Sequence, residues 1–305
     1  MRFDILGPGS LGLLWAARLA SAGHSVRLLV RTPEAFEHWQ AIGGRLIFEH
    51  DNIREELEIE ICLDPGTEPL HRLVVATKAY AVPSALNPLA HLLGPDSTLV
   101  MLQNGIGSQQ YARELCKDSQ VLCASVTDGA WLRAPGHVVW AGKGLTRIGD
   151  EAGGPCPPWL AALAPPALDW VWEQDIAQVL WQKLAINCAI NPFTVLHDCR
   201  NGEVPARAGS ELDALIRELK ALLHSQGFAP QAAELAQVVA DVIRRTALNS
   251  SSMRQDVHAG RQTEIDYIIG YACRTAVREG IGAPVMTGLY ARLKTHLAMH
   301  GLANN

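Results

Sequence analysis

The chain has 305 residues, of which 48% are hydrophobic and 19% charged, and its formal net charge is -5. This composition is that of an ordinary globular protein, and the length predicts about two domains. The acidic balance excludes the basic surface that a nucleic-acid or anionic-membrane partner requires, so a small molecule is the expected partner. No run of about 18 apolar residues predicts a membrane span. Seven scattered cysteines without metal-ligand spacing, and no signal-peptide pattern, predict a cytoplasmic protein without a metal site.

The first half of the chain alternates short apolar runs with helical patterns, which predicts parallel strands joined by crossover helices. Helices fit Leu11–Ala22 and Pro83–Leu93, and the less regular stretch His137–Gly149 is expected to add antiparallel strands at the sheet edge. The predicted parallel strands are Phe3–Leu6, Val26–Val30, Leu73–Ala76, Thr98–Leu102 and Val121–Ser125.

Beyond Asp175 the strand signals end and helical patterns take over. Before that point, Glu151–Pro166 is rich in Gly, Pro and Ala, which is typical of a boundary. We therefore predict an α/β Rossmann-type dinucleotide-binding domain over residues 1–172 and an all-α substrate-binding domain over residues 173–305, with the active site in the cleft between them. The predicted helices are Asp175–Asn191, Ser210–Gln226, Pro230–Asn249, Thr263–Glu279, which Gly280 is placed to end, and Pro284–Met299.

A glycine-rich motif follows the first strand and opens the first helix. It reads GPGSLG and consists of Gly7, Pro8, Gly9, Ser10, Leu11 and Gly12. Glycines in this pattern permit a tight turn, close approach of the backbone to a pyrophosphate, and packing of the helix on the strand. The helix N-terminus then offers free N–H groups to the phosphates. A dinucleotide is the predicted cofactor, and a glycine-rich turn without a ligand is the alternative.

The end of the second strand indicates which dinucleotide binds. An NAD site usually places Asp or Glu about twenty residues beyond the glycines. Here Arg31 stands at that position, and its charge and forked donors suit a 2′-phosphate. This favours NADP(H). Glu34 nearby keeps NAD open, and Arg31 as a solvated strand-end residue is the alternative.

Two polar residues follow the next two strands. Lys78 lies in TKAY and Asn104 in QNGIG. Ligands bind outside the carboxyl ends of the strands in a doubly wound sheet, so both side chains are expected in the cofactor cleft. Each alone fits equally well as a loop lysine or a turn-forming Asn-Gly pair.

The segment WQKLAINCAINP carries Lys183, Asn187 and Asn191 at intervals of four, which places them on one face of a helix. The other positions are mostly apolar, so the helix is expected to be buried on several sides. A buried amide without a partner costs about 1 to 3 kcal/mol, and a lone buried charge costs more. The stripe is therefore predicted to face a polar ligand or an acid. As alternatives, Lys183 reaches water and Asn191 merely ends the helix before Pro192, which leaves Asn187 unexplained.

A candidate acid lies downstream, where Glu264 opens a predicted helix. An acid at a helix start is also favoured by the macrodipole, and the serines of SSSMRQD also fit a helix-end loop. Periodicity alone does not choose between these interpretations.

Several motifs together resemble the ketopantoate reductase (2-dehydropantoate 2-reductase) family, in the same order and over essentially the whole chain. They are GPGSLG, TKAY, QNG, KLAINCAINP with NGE soon after, and SSMRQD followed by RQTEIDYIIG. The resemblance implies NADPH-dependent reduction of 2-dehydropantoate (ketopantoate) to (R)-pantoate, a step of pantothenate and coenzyme A biosynthesis.

The resemblance also implies roles for individual residues. Lys183 matches the general acid, and Glu264 matches an acid associated with that lysine and with the bound ligands. Ser252 matches a serine that binds the substrate carboxylate. The substrate-binding asparagines match Asn187, Asn191 and Asn201, the last holding the hydroxyl end. Positions near the cofactor or the reacting group match Lys78, Asn104 and Ala130.

Other functions stay open. A related NADP-dependent reductase of another 2-oxo acid or of a phosphorylated ketone has a similar build. A non-catalytic NADPH-binding sensor needs none of Lys183, Glu264 and Ser252, and a nucleic-acid regulator lacks its basic face. The apolar helices of the second half fit a homodimer surface as well as internal packing.

Overall fold

The computed structural model describes residues 1–163 and 168–302. The chain divides into two compact units, the first made of Met1–Gln103 and Ser108–Ile176, the second of Asn104–Gly107 and the chain from Ala177 onward. The end of the predicted boundary region, residues 164–166, lies outside the described residues. None of the described helices is both long enough and apolar enough to span a membrane.

The first unit contains two sheets. Its strands are β1 (Arg2–Leu6), β2 (Ser25–Leu29), β3 (Arg45–His50), β4 (Ile53–Glu58), β5 (Glu60–Cys62), β6 (Arg72–Val75), β7 (Thr98–Met101), β8 (Gln120–Val126), β9 (Gly129–Ala134), β10 (His137–Gly142), β11 (Thr146–Gly149) and β12 (Trp170–Trp172). The larger sheet has the order β12-β11-β8-β7-β6-β1-β2-β5, and its neighbours are parallel except for β8 and β11. The five predicted parallel strands are confirmed to within one residue at each end.

The prediction for His137–Gly149 is half right. β11 pairs antiparallel with β8 in the larger sheet, as expected. β10 instead belongs to a second sheet of order β4-β3-β10-β9. The hairpin of β3 and β4 was not predicted, although it turns at Asp51 and Asn52, whose φ angles of 47° and 62° suit a tight two-residue turn. Alternating charges in IREELE obscure its strand pattern, because only one face of β4 packs inward.

Helices cover both faces of the larger sheet. They are α1 (Ser10–Ser21), α2 (Pro33–Ala41), α3 (Val82–Leu86), α4 (Ser108–Leu115) and α5 (Pro158–Ala161). Side chains alternate across a strand, so Phe3 and Ile5 of β1 join one core while Leu6 joins the other. The predicted helix Pro83–Leu93 is wrong beyond Leu86, where a 3-10 helix follows because Pro88 lacks a backbone N–H.

The second unit is helical throughout its described residues. Its helices are α6 (Ile176–Leu196), α7 (Val204–Ala208), α8 (Ser210–Ser225), α9 (Ala229–Arg245), α10 (Ser252–His258), α11 (Ile269–Arg278) and α12 (Pro284–Met299). Gly280, with φ of 67°, follows α11 as predicted. The predicted start of that helix at Thr263 is wrong, because a 3-10 turn over Ile265–Tyr267 precedes α11.

The predicted end of α6 before Pro192 is also wrong, since the helix continues for five residues beyond Asn191. Pro192 removes one helical N–H. Phe193 and Val195 are almost fully buried beyond it, and burial of an apolar face stabilises a helix more than one hydrogen bond does. Asn191 therefore lies inside the helix, and the interpretation that it only ends the helix is excluded.

Candidate active site

Two glycines of the glycine motif are required by the backbone geometry and packing of the first unit itself. Gly7 has φ of 110°, and a Cβ there would lie 2.7 Å from the backbone nitrogen of Thr77. A Cβ on Gly12 would lie 2.0 Å from the carbonyl oxygen of Gly7. Gly7 therefore permits the turn out of β1, and Gly12 permits α1 to pack close to that turn.

Neither backbone geometry nor packing requires a glycine at position 9. Its φ is an ordinary -80°, and the nearest contact of a Cβ among the described residues would be the carbonyl oxygen of Ala76 at 3.9 Å. Pro8 and Gly9 are exposed and Ser10 and Leu11 are half-buried at the start of α1. An open backbone at a helix N-terminus is what a pyrophosphate requires, so the motif fits a dinucleotide.

Two buried polar atoms beside this loop also fit a bound cofactor. Gln103 follows β7, and its Nε2 donates to the carbonyl oxygens of Val75 at 2.8 Å and Thr77 at 3.1 Å. Both partners are acceptors, so the amide orientation is fixed, and Gln103 Oε1 has no partner among the described residues. The hydroxyl of Thr77 is likewise unpartnered there. Sequence reasoning missed both residues, although each directly precedes a predicted one, Lys78 or Asn104.

The remaining cofactor candidates of the first unit lie at strand ends and in the second sheet. Arg31 is exposed after β2, and its Nη1 donates to the Ser84 hydroxyl at 3.3 Å. Lys78 is half-buried and precedes a 3-10 helix after β6. Ala130 is half-buried in β9, opposite Trp140.

Glu34, the acidic residue that would favour NAD instead of NADP, forms hydrogen bonds within its own helix start. Glu34 lies in the first turn of α2, where its own backbone N–H, and then the Thr32 hydroxyl, lower the pKa of its carboxyl. Thr32 caps the same helix by accepting a hydrogen bond from the backbone of Ala35 at 3.2 Å. Glu34 thus has a structural role at a helix start.

The stripe on α6 is confirmed as one helical face of the second unit. Lys183 and Asn187 are half-buried and Asn191 is buried. The side-chain amides of the two asparagines lie on a helix that is otherwise largely apolar. Amides in such surroundings favour a ligand that supplies partners.

Lys183 and Glu264 interact within the second unit. Burial lowers the pKa of the Lys183 ammonium to about 8, and the carboxylate of Glu264 acts in the opposite direction. Glu264 is itself buried, and its carbonyl oxygen accepts hydrogen bonds from the backbones of Tyr267 and Ile268 at 3.1 Å. A lysine with a lowered pKa beside a carboxylate is a candidate proton donor.

Asn104 groups with this helical unit, together with Gly105, Ile106 and Gly107. The backbone N–H of Ile106 donates to the carbonyl oxygen of Tyr267 at 2.9 Å. Gly105 has φ of 84°, and a Cβ there would lie 2.2 Å from the same oxygen. Gly105 and Ile106 therefore pack against the turn that follows Glu264.

Asn201 presents a buried acceptor whose orientation the structure fixes. Its Nδ2 donates to the Thr246 hydroxyl at 2.9 Å, and that hydroxyl donates its only proton to the carbonyl of Val242 at 2.7 Å. The amide oxygen of Asn201 therefore points away from Thr246, and it has no partner among the described residues. Gly202 packs on Ala247, where a Cβ would approach to 2.8 Å.

Ser252 lies at the first position of α10, where it is exposed. The capping role belongs to its neighbour Ser251, whose hydroxyl accepts from the backbone of Arg254 at 3.1 Å. Ser250 accepts from the guanidinium of Arg254 at 3.1 Å. Ser252 is thus the serine of the three that neither caps the helix nor accepts from Arg254.

Comparison with known proteins decides the family. The profile described as ketopantoate reductase PanE/ApbA matches residues 3–153, and its C-terminal counterpart matches residues 175–297. The chain belongs to the ketopantoate reductase family. It is therefore an oxidoreductase, and the family is one of dinucleotide-binding reductases. No group of three or more His, Cys, Asp or Glu side chains among the described residues is arranged to hold a metal ion.

Individual ketopantoate reductases are similar over nearly their whole length. The 2-dehydropantoate 2-reductase of Vibrio cholerae is 35% identical over 97% of this chain and 97% of its own. A solved 2-dehydropantoate 2-reductase from Geobacter metallireducens is 25% identical, has a TM-score of 0.84, and covers 97% of this chain and 99% of its own. A D-mandelate dehydrogenase solved with NADH and anilino(oxo)acetate has a TM-score of 0.88 at 20% identity, over 99% of this chain and 100% of its own, and shares the fold.

Proposed function

We propose that this chain catalyses the NADPH-dependent reduction of 2-dehydropantoate to (R)-pantoate, a step of pantothenate and coenzyme A biosynthesis. Its relatives named 2-dehydropantoate 2-reductase support this proposal. The observation that carries the proposal concerns Lys183, which lies on an apolar helix near Glu264. Burial lowers the pKa of its ammonium to about 8. A non-catalytic NADPH sensor has no use for such a group, because its burial costs stability without aiding dinucleotide binding.

Lys183 acts as the general acid in this proposal. NADPH, when bound, would supply the hydride for the C2 ketone. The ammonium of Lys183 polarises the ketone oxygen and donates its proton to the alkoxide as negative charge develops there. With a pKa of about 8, about nine in ten lysines are protonated at pH 7. The Glu264 carboxylate then favours recovery of a proton by the neutral amine, because it raises the pKa of Lys183.

The polar residues of the second unit suit the two ends of ketopantoate. The unpartnered amide oxygen of Asn201 suits the hydroxyl end, since a hydroxyl is a donor. The exposed hydroxyl of Ser252 suits the carboxylate, to which it would donate. Asn187 and Asn191 offer amides along the same helical face as Lys183. Asn104, in the segment packed against Tyr267, is assigned to the reacting group and the cofactor.

The first unit holds the dinucleotide in this proposal. Gly7, Pro8, Gly9, Ser10, Leu11 and Gly12 would bind the pyrophosphate. Arg31 would pair with the 2′-phosphate, because its guanidinium is exposed and Glu34 is held in a helix start. Lys78, Ala130 and Glu264 complete the proposed cofactor contacts. NADPH is therefore preferred over NADH.

The test is an absorbance assay of NADPH oxidation by the purified protein. Ketopantoate is compared with 2-oxo acids that lack its hydroxyl, and NADPH is compared with NADH. Rapid, NADPH-preferring turnover of ketopantoate supports the proposal. Faster turnover of another 2-oxo acid would assign the chain to a related reductase, and tight NADPH binding without turnover of any of them would assign it to a sensor.

A further inference from the structure

A buried chain of hydrogen bonds joins α6 to α10. The hydroxyl of Thr194 donates to the carbonyl oxygen of Asn191 at 2.7 Å. The hydroxyls of Thr194 and Ser251 lie 2.6 Å apart. The Ser251 hydroxyl accepts from the backbone N–H of Arg254 at 3.1 Å. Thr194 is fully buried, and Ser251 and Asn191 are each 6% exposed.

Counting protons fixes the direction of this chain. Thr194 has one hydroxyl proton, which the carbonyl of Asn191 accepts, so the bond between the two hydroxyls needs the proton of Ser251. Each hydroxyl therefore donates once and accepts once, from Arg254 through Ser251 and Thr194 to Asn191. Such chains are mutually strengthening, and the loss of one member leaves buried neighbours unpaired.

This series of hydrogen bonds ends next to two proposed substrate contacts. Asn191 supplies an amide from α6, and Ser252, which directly follows Ser251, supplies a hydroxyl from α10. These two residues are far apart in sequence, so their spacing depends on how the two helices are joined. We propose that Thr194 and Ser251 are positioning residues that set the distance between Asn191 and Ser252 and so determine substrate affinity. This inference rests on the proposed function.

A second contact between the same helices is weaker. Asp198, just after α6, accepts from Arg254 Nε at 2.8 Å and lies 2.6 Å from His258 Nε2. The side chains of Asp198 and His258 are 67% and 51% exposed, and exposed ion pairs contribute little. The buried hydroxyls are therefore the better protected of these two contacts, although the Arg254 side chain is itself only 18% exposed.

The experiment compares Thr194→Val, which keeps the branched shape and removes the hydroxyl, with Thr194→Ser, which restores the hydroxyl. We expect Thr194→Val to raise the KM for ketopantoate about tenfold, equivalent to about 1.4 kcal/mol. We expect kcat and the Kd for NADPH to stay within about twofold. Ser251→Ala should act in the same direction, and Thr194→Ser should return the KM to within about threefold of wild type.

Thr275→Val is the matched control, because Thr275 is also a buried helical threonine and its hydroxyl has no partner among the described residues. It should leave the KM unchanged. Amide hydrogen exchange gives a readout without turnover: Thr194→Val should speed exchange at Arg254, and Thr275→Val should not.

Three outcomes would overturn the inference. They are a wild-type KM in Thr194→Val, the same KM rise in Thr275→Val, and no recovery in Thr194→Ser. If any of these is found while the wild-type enzyme reduces ketopantoate, the inference fails and the proposed function stands. A wild-type enzyme that reduces no 2-oxo acid would instead overturn the proposed function and this inference with it.

Discussion

The pH dependence of ketopantoate reduction tests the general acid directly. Burial lowers the pKa of Lys183 from its ordinary 10.5 to about 8. The difference corresponds to about 3 to 4 kcal/mol against the charged form, at about 1.4 kcal/mol per pKa unit. A general acid must be protonated to act, so the reduction rate should fall as pH rises through about 8.

The size of this fall in rate distinguishes a lysine with a lowered pKa from an ordinary one. With a pKa of about 8, the protonated fraction of Lys183 drops from about 91% at pH 7 to about 9% at pH 9. The value of kcat/KM for ketopantoate should therefore fall about tenfold between these pH values. An ordinary lysine would still be about 97% protonated at pH 9, and the rate would hardly change.

The assay is NADPH oxidation from pH 6 to pH 10 at saturating NADPH, with NADPH binding measured at each pH as the control. Glu264→Gln removes the carboxylate that raises the pKa of Lys183, so its rate should begin to fall at lower pH. Lys183→Arg stays charged throughout and should show low activity without this fall. A wild-type rate that is constant up to pH 10 would refute the reasoning, and so would a Lys183→Ala turnover within a few fold of wild type.

Three further predictions concern the cofactor loop, its selectivity and the substrate site. Gly9→Ala should fold normally and weaken NADPH binding at least tenfold by equilibrium titration, whereas Gly12→Ala should lower the melting temperature, because its Cβ would lie 2.0 Å from a backbone oxygen. Arg31→Ala should reduce the preference for NADPH over NADH by about 10- to 100-fold in kcat/KM, because one charge-assisted contact of about 1.5 to 3 kcal/mol is lost. An unchanged ratio would show that Arg31 does not contact the cofactor. Gly202→Ala should raise the KM for ketopantoate by displacing Asn201, since the new Cβ would lie 2.8 Å from Ala247, while a normal KM would show that the turn yields without moving the amide.

Most of the parallel sheet could be predicted from sequence, and the reason is physical. Strands buried on both faces are short continuous apolar runs, and segments such as Leu73–Ala76 (LVVA) stand out from their surroundings. The hairpin of β3 and β4 is half exposed, so charged residues interrupt its pattern. The stripe of Lys183, Asn187 and Asn191 was likewise predictable, because helical spacing alone places residues four apart on one face.

Other features depend on contacts that no local pattern encodes. The continuation of α6 through Pro192 depends on the burial of Phe193 and Val195, which overrides the local preference of proline. The free acceptor of Asn201 depends on Thr246, a residue 45 positions away. Long-range hydrogen bonds of this kind are visible only once the chain is folded.

The placement of Asn104 is the most informative of these long-range results. The sequence places it after a strand of the α/β sheet, and on that basis it was predicted to lie in the cofactor cleft. In the structure its segment groups with the helical unit, where Ile106 and Gly105 contact the carbonyl oxygen of Tyr267. That contact joins QNG to RQTEIDYIIG, two motifs more than 150 residues apart in sequence. Only a glycine tolerates the positive φ and the close backbone approach at this contact, which explains why position 105 is a glycine. Asn104 therefore directly precedes a segment that packs against the turn following Glu264.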